Sequence, residues 1–122
     1  MPARRAPLSF DDITRLASGL PGVEVGTSYG TPALKVKGKM MVRMWEDGTT
    51  LVLHVSFLVR DHLIAKSPKT FFFTDHYKDY PCVLVRLDAV RESELQSLLE
   101  ESWRQVAPKR LIAAHDAGQG KE

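Results

Sequence analysis

The segment from Thr74 to Tyr80, "TDHYKDY", gathers one histidine, two tyrosines, one lysine and two aspartates between two apolar runs. Several chemistries draw on such a set. Tyr77 and Tyr80 offer ring faces for stacking, Lys78 can pair with a phosphate, and His76 can donate a hydrogen bond to one. Asp75 and Asp79 oppose that reading, because carboxylates repel a polyanion. Asp75, His76 and Asp79 also form a D-H-x-x-D string. Transition-metal sites need three or four convergent ligands, and no partner His motif is evident, so no metal or cofactor is expected. Cys82 with His54 or His76 is the nearest approach to a nucleophile and its base. No third, orienting group marks that pair, and a lone cysteine more often acts as a small buried hydrophobe. The chain has no P-loop, GxGxxG, HExxH or GxSxG motif, so no enzyme is expected. The structural alternative is plain: Asp75 caps a turn, the tyrosines lay their rings on a sheet, and Pro81 sets entry to the next strand.

A second cluster is basic. No acidic residue falls between Val25 and Trp45, whereas Lys35, Lys37, Lys39 and Arg43 all do. On alternating strands these four would share one surface, and such clusters contact phosphates largely without regard to sequence. A solvated sheet face, where lysines guard against edge pairing, is the competing reading. Lys109 and Arg110 are the remaining anion-contact candidates. They open a helical turn, where the helix dipole disfavours cations, so a ligand or an acidic neighbour would explain them.

The elements that position these groups follow from periodicity. Ser9 and Asp12 have capping-box spacing ahead of Phe10, Ile13, Leu16, Ala17 and Leu20, which predicts a helix over 10–20, ended by Pro21-Gly22. "TPALKVKGKMMVRMWEDGTTLVLHVSF" alternates with period two in three runs, broken at Gly38 and at "EDGT". That is an antiparallel meander, with Asp47-Gly48 as a hairpin turn. "EVGTSYGTPAL" reads as a polar loop leading into the basic strand. "LVRDHLIAKSP" is a short helix, and "TFFF" and "CVLVRLDAV" are strands. Leu95, Leu98, Leu99, Ser102, Trp103 and Val106 mark the clearest helix, with a last turn opened by Pro108. Residues 1–7 and 115–122 are expected to be disordered tails around one domain, 8–114. The long helices need a shared apolar surface, and one face of an antiparallel sheet supplies it. The fold class is therefore α+β, in two layers, with the N- and C-terminal helices on one sheet face and the other face partly open to solvent.

Three blocks, "LPGVEVGTSYGTPALKVKGKMMVRM", "FFFTDHYKDYPCVLVRL" and "ESWRQVAPKRL", resemble the MmcQ/YjbR family in content and order, over about residues 8 to 113. The resemblance implies a frataxin-like (CyaY-like) fold, with helices on one face of an antiparallel sheet. It also implies DNA binding through a double-wing arrangement of strands and loops. Iron binding, which that fold also hosts, needs an acidic ridge. Here the first helix has only Asp11 and Asp12, balanced by Arg15, and the adjacent strands are basic.

The chain has 122 residues, 43% of them hydrophobic and 26% charged, enough for one core in one domain. The net charge of +2 is far below the excess that would demand a nucleic-acid partner. One cysteine excludes an internal disulfide and any CxxC motif. No apolar run reaches the ~20 residues of a membrane span, and "MPARRAPLSF" lacks the apolar core of a secretory signal, so a cytoplasmic location is expected. The expected function is non-enzymatic DNA binding through Lys35, Lys37, Lys39 and Arg43, with Tyr77, Lys78 and Tyr80 at the loop. The alternative is a module for a small anionic metabolite or a protein partner on the same open face. A concave apolar pocket beside the loop would favour the metabolite. A flat, evenly positive face would favour nucleic acid.

Overall fold

The computed structural model describes residues 6–120. The expected tail 1–7 falls mostly outside them; Ala6 and Pro7 are exposed and belong to no element. Helix α1 (Phe10–Leu16) starts on the predicted capping box. The Ser9 hydroxyl accepts from the Asp12 N–H at 3.1 Å, and the Asp12 carboxylate accepts from the Ser9 N–H at 2.9 Å. It ends earlier than expected. Ser18 and Gly19, poor helix formers just before Pro21, give way to tight turns at Ser18 and Leu20.

Six antiparallel strands follow among the described residues, in the order β1-β2-β3-β4-β6-β5. They are β1 (Val23–Ser28), β2 (Thr31–Val36), β3 (Lys39–Met44), β4 (Thr50–His54), β5 (Phe71–Phe72) and β6 (Cys82–Arg86). The predicted meander is β2-β3-β4. The segment read as a polar loop is instead β1, because Tyr29 and Gly30 both take positive φ and close a two-residue hairpin between Ser28 and Thr31. Lys37 and Gly38 repeat the device between Val36 and Lys39. At the β3–β4 turn, the Asp47 carboxylate accepts from the backbone N–H groups of Thr49 and Thr50, both at 3.0 Å, which fixes the predicted Asp-Gly turn.

Helix α2 (Phe57–Lys66) is capped by Ser56, and α3 (Glu92–Val106) carries the predicted stripe, every member of it buried. Helix α4 runs Lys109–Gly120. This corrects the expected tail over 115–120; residues 121 and 122 lie outside the described ones. His115 packs its ring on Trp103 at 5.0 Å, and Asp116 binds Arg104 at 2.6 Å, so contacts from α3 hold the helix together through these residues.

One sheet face packs on the helices, as the fold class requires. Ile13, Leu63, Leu95, Leu99 and Trp103 meet Leu34, Val36, Val42, Leu51, Leu53, Val83 and Val85 in one continuous core. The fully buried Trp103 indole keeps its polar edge satisfied by donating to the Pro21 carbonyl at 2.8 Å. The opposite face carries a second, smaller cluster of Val52, Leu84, Cys82 and Tyr77, with Met40, Trp45 and Phe72 packed against it.

A β-bulge lies between the two faces. Leu34 pairs with Val42 and Lys35 with Met40, so Met41 is an extra residue with no strand partner on either side. The buried Ser102 hydroxyl, set within the apolar stripe of α3, donates to the Met41 carbonyl at 2.9 Å. A polar residue inside a helix stripe thus satisfies a carbonyl at the break in the ladder.

Candidate functional site

The Thr74–Tyr80 segment joins β5 to β6 and begins with a 3₁₀ turn, Asp75–Tyr77. Two arginines hold it onto the second sheet face. Arg60, buried on α2, directs Nη1 at the carbonyls of Tyr77, Lys78 and Tyr80, at 3.2, 3.1 and 3.3 Å. Its guanidinium also lies over the rings of Phe57 at 4.8 Å and Phe73 at 4.2 Å. Arg43 comes from β3. Its Nη2 donates to the Tyr77 hydroxyl at 2.6 Å, while its Nη1 serves Thr31, the Met44 carbonyl and Glu46.

Arg43 therefore differs from expectation. It is 5% exposed and belongs to the wall of a site, not to a solvent-facing row of cations. Tyr77 is 8% exposed, with its ring in the second apolar cluster, so it is no free stacking platform. The other basic positions are spread over strand and turn. Lys37 sits in the hairpin turn at φ 52°, off the strand that holds Lys35. Lys39 pairs with Val36 at the start of β3 and lines the same cavity as Arg43. The stem of Lys35 passes beside Gly26 of β1. His76, Lys78 and Tyr80 are exposed on the loop, as expected. Lys109 and Arg110 open α4, whose Leu111 and Ile112 pack on the helix-side core, so they sit in the other layer.

The structure instead gathers a cavity of about 610 Å³ between the Tyr29-Gly30 turn and the loop. Met40, Val52 and Cys82 make its apolar floor, and Arg43, Glu46, His54 and Tyr77 supply polar wall. Tyr29 stands at the rim, 85% exposed, with its ring 5.2 Å from the Arg43 guanidinium. His76 and Tyr80 continue the rim, their rings 5.9 Å apart and tilted by 31°. The volume and the mix of apolar floor with a few polar groups match small-ligand pockets.

The protonation states are set by burial. Burial pushes the Cys82 thiol up to about 11, against the pull of Arg43 and Arg60, so it remains protonated at neutral pH. Burial also lowers the pKa of His54, which favours the neutral imidazole. His54 lies directly across from Cys82 in the β4–β6 ladder, yet its buried Nδ1 has no hydrogen-bond partner among the described residues. The two do not form a nucleophile–base pair. Among the described residues, no three His, Cys, Asp or Glu side chains converge as a metal site would require. None of the described helices is long and apolar enough to cross a membrane.

Two contributors escaped sequence reasoning. Arg60 reads as the polar side of a short helix, and its role depends on carbonyls far along the chain. Tyr29 did leave a signal: glycine after it, between alternating segments, is the second position of a two-residue hairpin turn.

Comparison with known proteins agrees with this architecture. A family model described as YjbR matches residues 18–105. Uncharacterised proteins of Mycobacterium bovis and Mycobacterium tuberculosis are 32% identical over 127 residues, covering 92% of this chain and 98% of each relative. The crystal structure of the Deinococcus radiodurans protein DR2400, a DUF419 domain, superposes with a TM-score of 0.67 at 23% identity, over 83% of this chain and 80% of that one. At that identity the likeness speaks for the fold, which is the expected α+β class. With most of its length matched by the family model, the chain belongs to the YjbR family.

Proposed function

We propose that the protein is a non-enzymatic binding module for a small anionic ligand, held in the cavity between the Tyr29-Gly30 turn and the 73–81 loop. The observation that carries this reading is the state of Arg43. Its Nη1 is fully engaged and its Nη2 binds Tyr77, which leaves the Nε–H and one Nη2 hydrogen without an acceptor among the described residues. A buried guanidinium needs compensation. Its one carboxylate partner, Glu46, is 63% exposed and 3.3 Å away. An anion in the cavity would meet those free donors above an apolar floor. The concave pocket is also the feature that separates a metabolite from a flat nucleic-acid face.

An amide-correlation NMR titration with cyclohexanecarboxylate and with inorganic phosphate tests this. The expected result is saturable shifts centred on Tyr29, Arg43, His54 and Tyr77. Millimolar anion that leaves those signals unmoved would refute it.

A second reading keeps some support from the β2–β3 hairpin, where Lys37 sits in the two-residue turn and Lys35 and Lys39 flank it. If that tip contacts duplex DNA, affinity will fall steeply with salt, and Lys35→Ala with Lys37→Ala will reduce the slope by about 2. Loss of this binding would leave anion shifts in the cavity intact, so the two readings separate.

A further inference from the structure

We infer that the ligand is a planar aromatic anion, an aryl carboxylate or aryl phosphate, with its charged group on Arg43 and Tyr77 and its ring against the aromatic rim. This rests on the reading of the cavity as an anion site and names the chemistry of its occupant.

The anionic end follows from the Arg43–Tyr77 pair. The Tyr77 oxygen accepts the Arg43 hydrogen bond at 2.6 Å, so its own proton must point elsewhere, and no acceptor for it exists among the described residues. A hydroxyl that accepts from a cation is polarised into a better donor. The free Arg43 hydrogens and this O–H thus offer donors around one buried cation, a set suited to a carboxylate or phosphate oxygen pair. Thr31, the Met44 carbonyl and one oxygen of Glu46 are taken up by Nη1.

The ring follows from the rim. Tyr29 and Tyr80 are among the few large apolar side chains left exposed, and both line this cavity. Tyr29 is held over Arg43 by a turn that places a tyrosine at φ 52°, a conformation that bulky residues seldom adopt. His76 leans on Tyr80 and stands edge-on to Tyr77, with ring centroids 4.7 Å apart. The aromatic wall is thus in place before any ligand enters. A planar guest gains offset or edge contacts from such a wall, and a puckered aliphatic ring of similar size gains fewer. The floor of Met40, Val52 and Cys82 lacks charge and suits a ring in either orientation.

The test compares three probes on the full chain by calorimetry and NMR: 1-naphthoate, decahydronaphthalene-1-carboxylate and 1-naphthalenemethanol. Naphthoate should bind about five- to tenfold more tightly than its saturated counterpart, the range expected for aromatic contacts. Tyr29→Asn, which retains a residue tolerant of positive φ, should remove most of that preference. Tyr77→Phe keeps the ring and should weaken both acids by about tenfold. Equal affinity for the two acids overturns the aromatic assignment and leaves anion binding standing. Naphthalenemethanol binding as tightly as naphthoate overturns the role given to charge, and the proposed function with it. No binding by any probe, with the fold intact by circular dichroism, overturns both.

Discussion

Arg60→Ala tests how the loop is held. The truncation removes one donor from each carbonyl; those of Tyr77 and Tyr80 keep the N–H groups of Tyr80 and Cys82, and the partly buried Lys78 carbonyl can take up water. Each of the three lost bonds costs about 0.5 kcal/mol, because its carbonyl keeps another donor or takes up water. The guanidinium also leaves the Phe57 and Phe73 rings, a further loss of about 0.5–1 kcal/mol each. The contact with Asp61 adds nothing measurable, because that carboxylate is largely exposed. The total is about 3 kcal/mol, or a melting temperature lower by about 12 °C for a domain of this size. Urea unfolding measures the total. Amide exchange localises it, since the N–H groups of Tyr80 and Cys82 bond to carbonyls within the same loop. Arg60→Lys retains a charged donor for the carbonyls but not the planar guanidinium over Phe57 and Phe73, so about half the loss should remain. A change below 1 kcal/mol in Arg60→Ala, with unaltered exchange at Tyr80 and Cys82, would refute the idea that Arg60 fastens the loop.

Other measurements reach the remaining features. Since burial holds the His54 imidazole below its ordinary 6.5, the unfolded chain takes up this proton first. Its contribution to stability is complete above that pH and is lost as pH falls toward the lowered folded value. The urea midpoint should therefore drop between pH 7.5 and 5.5 less in His54→Gln than in the parent, and identical drops would contradict this. A Cys82 thiol at about 11 instead of 9.0 holds about a hundredfold less thiolate near pH 8, so iodoacetamide should label the native protein at least that much more slowly than the urea-unfolded chain. Comparable labelling rates would rule it out. Lys37→Asn places a residue tolerant of positive φ in the β2–β3 turn and should raise stability by about 0.5–1 kcal/mol, read by thermal melting. A lower melting temperature would show that Lys37 makes a stabilising contact the turn geometry does not explain.

The sequence announced the features that local chemistry decides. The Ser9–Asp12 capping box, the Asp47-Gly48 turn and the α3 stripe from Leu95 to Val106 all depend on neighbours within a few positions, and all are present. The strand–loop–strand shape of Phe71–Leu87 was legible for the same reason. The site was not. Arg43 alternates with valine and methionine just as a surface cation would, and its burial is decided by Tyr77, which closes over it from a distant loop. Strand β1 was missed because it is an edge strand with mostly exposed or half-buried positions, leaving no apolar alternation to read. The helical course of residues 115–118 depends on Trp103 and Arg104, which no pattern within the tail itself reveals.

The bulge at Met41 has a consequence for the far side of the sheet. Lys35 and Leu34 are consecutive on β2, but their partners Met40 and Val42 are separated by that one extra residue. Met40 and Arg43, which both line the cavity, owe their spacing along β3 to it. Ser102 grips the extra residue from the helix layer. Helix α3 therefore acts as a registration peg for the cavity: through Ser102 it indexes which residues of β3 line it. A substitution such as Ser102→Ala, buried among leucines on one side of the sheet, would be read out as an altered cavity lining on the other.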